Sequence, residues 1–275
     1  MKKIVIQLIC KDQKGIIAQI TSIIFDLNVN ILSIEQHVDN ESNKFYIRIL
    51  AELNSKNSVL VSLKTQMATL NEKLKGKINF YDPDKKINVA ILGTKETEPI
   101  YDILIKRESG DINCNPPIIL SNHSSLKPVA KQFNLKFKKI NDNKNLFKIL
   151  KNEKIDLIIL ARYMQIIPSY IVNNYKNQII NIHHGFLPAF KGANPYRQAF
   201  NKGVKVIGAT SHYVTNKLDE GPIISQDITH IDHNHSLQDM IKLGREIEKS
   251  VLSKAVKNHL EYKIIIYNNK TIIFK

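Results

Sequence analysis

Residues Ile179–Gln226 read IINIHHGFLPAFKGANPYRQAFNKGVKVIGATSHYVTNKLDEGPIISQ, and this stretch decides the fold of the second half of the chain. Gln178 to Ile182 is a short apolar run, as expected of a buried strand. It delivers Asn181, His183 and His184 to its carboxyl end, where Gly185, Pro188, Gly192 and Pro195 predict an open loop. A second strand pattern, Lys205 to Tyr213, ends in a polar turn that carries Asp219 and Glu220 and closes on Gly221-Pro222. Ligands of open α/β sheets bind beyond the carboxyl ends of the strands. An amide, an imidazole and a carboxylate just past strand ends can therefore converge on one pocket.

Such a trio suits attack on a carbonyl. Asn181 can donate its side-chain amide to an oxygen gaining negative charge. His183 can do the same when protonated, or pass a proton to a leaving nitrogen. Asp219 can hold the histidine or take a proton from the nucleophile. No serine or cysteine sits inside N-x-H, which argues against a covalent acyl-enzyme. The spacing alone is weak evidence, since buried His and Asn often only satisfy backbone groups.

The stretch resembles the active-site region of the formyltransferase family that uses 10-formyltetrahydrofolate. The matching residues are Asn181-Ile-His183-His184, Phe186 to Tyr196, Gly208-Ala-Thr210, His212-Tyr-Val214 and Leu218 to Ile224. The resemblance maps the family's essential Asn, His and Asp onto Asn181, His183 and Asp219. Gly185 departs from it, standing where a serine is expected; glycine there predicts a looser loop with one hydroxyl fewer. Ala161-Arg-Tyr-Met-Gln-Ile-Ile167 resembles the segment lining the pterin pocket. The resemblance thus implies folate contacts from Arg162, Met164, Gln165, Ile167, His212, Val214, Thr215 and Glu220. Plain core packing is the alternative for this apolar piece, although Arg162 and Gln165 argue against a purely structural role.

The first part of the chain reads separately. Ile4 to Cys10 is a strand pattern, and Ile16, Ile17, Ile20, Ile23, Ile24 and Leu27 recur at helical spacing. Ile31–Asp39 and Phe45–Leu53 predict a hairpin; Val59, Leu63, Met67, Leu70 and Leu74 predict a second helix; and Lys77–Tyr81 is a last strand. The order βαββαβ is ferredoxin-like. Cys10 to Ile16, Asn30 to His37 and Phe45 to Arg48 resemble an ACT domain, a regulatory module that often binds amino acids at its interfaces. Asp12, Gly15, Ile16 and Asn30 are the candidate effector site, because a free helix start suits a small carboxylate. A module that only mediates assembly is the even alternative.

Asp82–Lys86 reads as a linker between residues 1–81 and a second domain, residues 87–275. Strand patterns at Ile87–Leu92, Pro117–Leu120, Leu135–Ile140 and Asp156–Leu160 alternate with helical ones, which predicts a doubly wound, mostly parallel sheet. The fold class is therefore α/β, an ACT-like unit followed by a formyltransferase fold. After Leu92 the turn is Gly93-Thr-Lys-Glu96. Family members that act on a ribonucleotide are expected to carry a glycine-richer phosphate cradle there. Glu96 would repel a phosphate, which favours water as the acceptor. Thr229–His235 reads THIDHNH; treated as a strand it puts His230 and Asp232 on one face and His233 on the other, a poor ligand set for zinc. Ser236–Leu260 predicts a long capped helix, and Lys263–Phe274 a hairpin around Asn268-Asn269.

The 275 residues carry 40 Lys+Arg against 25 Asp+Glu, a formal charge of +15. The lysines are dispersed, with no basic helix and no aromatic-rich RNA motif, so the charge is read as compositional bias rather than nucleic-acid binding. A basic surface also attracts anionic substrates, and folates carry glutamate carboxylates. Two distant cysteines, Cys10 and Cys114, and no long apolar run point to reducing cytoplasm and no membrane. The resemblance implies hydrolysis of 10-formyltetrahydrofolate to formate and tetrahydrofolate, feeding purine synthesis and balancing the one-carbon pool. Folate is then substrate, with no metal or redox cofactor required. A glycine or methionine effector and a homo-oligomer are expected. The alternatives are a formyl transferase acting on an amine, or an inactive folate or amino-acid sensor.

Overall fold

The computed structural model describes residues 2–53, 57–190, 192 and 194–275. The chain divides into two units. The first comprises Met1–Lys85, Glu261–Tyr267 and Ile272–Lys275; the second comprises Lys86–Leu260 and Asn268–Thr271.

The first unit has the expected βαββαβ order: β1 (Lys2–Lys11), α1 (Ile16–Asp26), β2 (Asn30–Asp39), β3 (Lys44–Leu53), α2 (Asn57–Leu74) and β4 (Lys77–Tyr81). Its antiparallel sheet runs β2-β3-β1-β4. Ile4, Ile6, Leu8 and Cys10 alternate on one face of β1 and pack against Ile16, Ile20 and Ile24 of α1 and Leu63 and Met67 of α2. Helical spacing puts those isoleucines on one stripe, so burial of that stripe stabilises the helix.

The other sheet face is covered by a segment the sequence assigned to the second domain. The C-terminal hairpin is β12 (Ile264–Tyr267) and β13 (Lys270–Ile273). Arg48 donates from Nε to the Tyr262 carbonyl and from Nη2 to the Glu261 carbonyl, both at 3.0 Å. Gln7 donates to the carbonyls of Tyr262 (2.8 Å) and Ile264 (3.2 Å). Tyr46 packs with Ile265 and Phe274, and Tyr81 stacks on Tyr262 at 4.3 Å. The expectation that residues 87–275 form one unit is corrected on these contacts. The hairpin supplies the cover that a sheet needs when its second face is apolar and carries buried Gln7 and Arg48.

The second unit is built on a seven-stranded sheet ordered β11-β10-β9-β8-β5-β6-β7. The strands are β5 (Val89–Leu92), β6 (Ile118–Ser121), β7 (Phe137–Lys139), β8 (Leu157–Leu160), β9 (Ile179–His183), β10 (Val206–Tyr213) and β11 (Ile223–His230). Strands β7 to β9 across the sheet are parallel, and β10 runs antiparallel to both β9 and β11. The chain starts in the middle at β5, runs outward to β7, then returns to β8, so the strand order reverses between β5 and β8. That reversal is where open α/β sheets form crevices. Strands β5, β6 and β8 are buried along their whole length, which is why they read as unbroken apolar runs.

The intervening helices are α3 (Glu98–Glu108), α4 (Lys127–Gln132), α5 (Asn143–Asn152), α6 (Ser169–Asn174), α7 (Pro195–Lys202) and α8 (Leu237–Leu260). Helix α7 starts at Pro195, the last of the residues expected to open the loop. Pro195 is its first residue, where a missing N–H costs nothing, and Asn194 precedes it in the left-handed region at φ 54°. A reciprocal pair starts α8: Asp239 N–H donates to the Ser236 hydroxyl, and Ser236 N–H donates to the Asp239 carboxylate. The THIDHNH alternation fails because β11 stops at His230. Beyond it Asp232 accepts from Asn234 N–H (2.9 Å) and pairs with His235 (2.7 Å) in a turn.

Candidate active site

Strands β9 and β10 assemble the site by register. Asn181 and His183 are two apart on β9 and share a face. His212 of β10 lies directly opposite Asn181, and Thr210 opposite His183. The turn after β10 brings back Asp219, whose backbone is left-handed at φ 54°. Asp219 Oδ2 is 3.4 Å from His183 Nδ1, and Asp219 Oδ1 is 3.7 Å from His212 Nε2. The three side chains are 8%, 5% and 3% exposed, so their interactions act in a low dielectric. The trio expected from the sequence is thus brought together, and His212, expected as a folate contact, sits inside it.

The hydrogen bonds set the protons. His212 Nδ1 faces the Tyr213 carbonyl at 2.9 Å, so that nitrogen carries the hydrogen. Burial pushes the His212 imidazole below its ordinary value, against the backbone bond and Asp219. The neutral ring leaves Nε2 bare, and Asn181 Nδ2 donates to it at 3.2 Å. This fixes the orientation of the Asn181 amide and leaves its second hydrogen for another acceptor. His183 Nε2 lies 3.1 Å from the Phe190 carbonyl, while Nδ1 faces Asp219.

A second buried group stands behind the histidines. Tyr196 of α7 donates to Glu248 Oε1 at 2.7 Å, and Arg162 Nε lies 3.6 Å from Glu248 Oε2. Glu248 is 1% exposed, and burial raises its carboxyl above the usual range. The His184 ring is 5.8 Å from the Tyr196 ring and 5.5 Å from the His183 ring. Burial first, then the Arg162 and His183 charges, push His184 down to about 3. Gly244 of α8 makes this packing feasible, because a Cβ there would overlap the Tyr196 hydroxyl. Glycine in mid-helix was the available signal for this group; Glu248 itself reads as one more charge on a polar helix.

The loop after β9 is held rather than loose. Thr210 donates to the Gly185 carbonyl (2.9 Å) and accepts from Leu187 N–H (3.0 Å) and Gln226 Nε2 (3.0 Å). Gly185 is buried, and an added Cβ would stand 2.9 Å from His183 Nε2. The expectation of a loosened loop is therefore corrected: the missing side chain makes room for the His183 ring.

The remaining expected residues scatter. The Arg162 side chain points into the buried group, and its buried Nη1 has no hydrogen-bond partner among the described residues. Met164 and Gln165 are exposed, and Met164 N–H donates to Thr94 at 3.0 Å. Ile167 packs in the core with Tyr163, Ile171 and Val172. Val214 is half-buried on the same core, Thr215 closes the turn onto the Lys217 carbonyl, and Glu220 is exposed. In the first unit Gly15 caps α1 at φ 83°, Asp12 N–H donates to the Asn43 carbonyl, and Asn30 opens β2. Ile16 is buried in the core, so only its backbone can face a ligand there. Among the described residues no group of three or more His, Cys, Asp or Glu is arranged to hold a metal ion.

After β5, Glu96 and Glu98 both pair with Arg245 of α8, at 3.0 and 3.2 Å. Two carboxylates therefore stand where a phosphate cradle would need bare N–H groups.

The fold and site define a formyl transferase domain preceded by an ACT domain, and family comparison agrees: "Formyl transferase" matches residues 87–256 and "ACT domain" matches residues 4–59. A formyltetrahydrofolate deformylase from Synechocystis is 40% identical over 273 residues, covering 96% of each chain. One from Bacillus subtilis is 38% identical over 274 residues, covering 96% of this chain and 91% of its own. The crystal structure of a Pseudomonas syringae formyltetrahydrofolate deformylase aligns with a TM-score of 0.94 at 32% identity, covering 100% of this chain and 95% of that one. The chain belongs to the formyltetrahydrofolate deformylase family.

Proposed function

We propose that the chain hydrolyses 10-formyltetrahydrofolate to formate and tetrahydrofolate. The carrying observation is the cluster of buried His183 and His212 with Asp219 and half-buried Asn181, one of whose amide hydrogens is uncommitted among the described residues. Water attacks the formyl carbon and gives its proton to Asp219. Asn181 Nδ2 donates to the oxygen that becomes negative, joined by His183 once its Nε2–H leaves the Phe190 carbonyl. The C–N bond then breaks, and His183 protonates the departing aryl amine nitrogen. His212 holds the Asn181 amide in its donating orientation.

Folate is here the substrate, and no step calls for a metal or redox cofactor. Arg162, Met164, Gln165, Val214, Thr215 and Glu220 are assigned to the folate side on family resemblance. Residues 1–81 are assigned to regulation by a small amino acid, glycine or methionine, in a cytoplasmic homo-oligomer. Formate released this way supplies purine synthesis and returns the one-carbon pool to tetrahydrofolate. Among the described residues no helix is long and apolar enough to cross a membrane.

Transfer to a phosphorylated amine is disfavoured by Glu96 and Glu98 beside the β5 turn. The test is release of formate and tetrahydrofolate with no amine added. Release without amine supports hydrolysis; strict dependence on an amine would make the chain a transferase, and no release in either case a sensor.

A further inference from the structure

We propose that Asn269 and Thr271, at the tip of the C-terminal hairpin, are positioning residues for Asp219. The inference rests on the reading of Asp219 as the group that takes the proton from water.

Asp219 sits in a turn that is held from two sides. Its φ of 54° is in the left-handed region, which Asp tolerates better than most L-residues but does not prefer, so contacts from outside the residue help to keep it there. On the inner side the turn is closed by Tyr213 N–H donating to the Pro222 carbonyl at 2.9 Å. Gly221 fits because a Cβ would overlap the Tyr213 carbonyl oxygen. On the outer side two donors come from one place. Asn269 Nδ2 donates to the Glu220 carbonyl at 2.9 Å, and Thr271 Oγ1 donates to the Ile223 carbonyl at 2.5 Å. These carbonyls flank Gly221-Pro222, and the first belongs to the residue immediately after Asp219.

The tip is shaped for this. Asn268 turns the hairpin at φ 54°, which sends Asn269 and Thr271 out on the side of the Asp219 turn. The carboxylate these donors steady is set at 3.4 and 3.7 Å from His183 and His212, distances at which a small backbone shift makes or breaks the contact. A misplacement of about 1 Å in a catalytic group costs roughly 10²-fold in rate. Holding the Glu220 and Ile223 carbonyls, one on each side of Gly221-Pro222, is a direct way to prevent it.

The test uses the full chain with Asn269→Ala, Thr271→Val, the double variant, and Thr271→Ser, which keeps the hydroxyl. The readouts are kcat, KM for 10-formyltetrahydrofolate, tetrahydrofolate affinity by calorimetry, and Tm. The double variant is expected to lose roughly 10- to 100-fold in kcat while tetrahydrofolate affinity stays within about twofold. Thr271→Ser is expected to stay within about threefold of wild-type kcat, although Thr271→Val does not. The inference is overturned if the double variant turns over at the wild-type rate. It is also overturned if Thr271→Ser is as slow as Thr271→Val, or if kcat falls only in step with tetrahydrofolate affinity and Tm. Asp219→Asn separates the two levels: a fully active Asp219→Asn removes the role of Asp219, whereas an inactive one beside an unslowed double variant removes only that of the hairpin.

Discussion

The Asn181 amide nitrogen lies 3.2 Å from the bare Nε2 of His212, whose other nitrogen is spent on the Tyr213 carbonyl. The two residues are directly paired across β9 and β10, so the sheet itself aims the amide. Asn181→Asp replaces a donor by an acceptor against the same bare nitrogen. Loss of one oxyanion donor costs about 10²–10³-fold in kcat. We expect Asn181→Asp to reach at least that loss while tetrahydrofolate affinity holds; steady-state kinetics within a few-fold of wild type would remove the oxyanion role.

Asp219→Asn should nearly abolish turnover while folate still binds. Removing a positioned base costs about 10²–10⁴-fold. Calorimetry with tetrahydrofolate and a formate-release assay on the same preparation check both halves, and near-normal release would contradict the assignment.

Stability should fall as the solution is acidified through the ordinary histidine range. His184 is held down to about 3, so the unfolded chain binds its proton first as pH drops below about 6.5. The stabilisation is thus fully present above that value and is lost progressively toward the folded value. At pH 5.5 the loss from this ring is about 1.4 kcal/mol. Urea titrations of wild type and His184→Asn at pH 7.5 and 5.5 should show the wild type losing more by about that amount; equal losses would contradict the shift.

Dialysis against EDTA should leave formate release unchanged, since the histidines have other partners. Inactivation rescued by zinc would instead point to a metallohydrolase built on His183, His184, His212 and Asp219.

Gly15→Val should cost roughly 1–2 kcal/mol, because Gly15 is left-handed at φ 83° and a β-branched residue is strained there. If Asp12, Gly15 and Asn30 bind an amino acid, the variant also loses any response to glycine or methionine. Calorimetry on the full chain with glycine, methionine and serine checks this: no binding to wild type leaves the first unit without an effector.

Much of the fold was legible where one apolar period dominates. The isoleucines of α1 and the unbroken runs of β5 and β8 admit one reading each. Helix α7 was missed because Gly192 and Pro195 are breakers inside an element but also starters at its edge. Strand β11 was missed because only Ile223-Ile224 follow Gly221-Pro222 before the strand turns mostly polar. Asn181, His183 and Asp219 were legible through family resemblance, but His212 was placed with the folate contacts because only the β9–β10 register shows what it faces. The docking of Glu261 to Ile264 on Gln7 and Arg48 spans more than 200 positions, and no local pattern encodes a contact of that range.

That docking also has a consequence for biogenesis. The sheet face carrying Gln7, Tyr46 and Arg48 is finished by residues near 261–275, yet the strands themselves end at Tyr81. At ribosomal rates of about 5–20 residues per second, the intervening chain takes roughly ten to forty seconds to emerge. Throughout that interval Arg48 and Gln7 lack their carbonyl partners and Tyr46 lacks its cover. The first unit to be made is then among the last to be completed, and a nascent chain stalled before Glu261 carries an open apolar sheet face that a chaperone can hold.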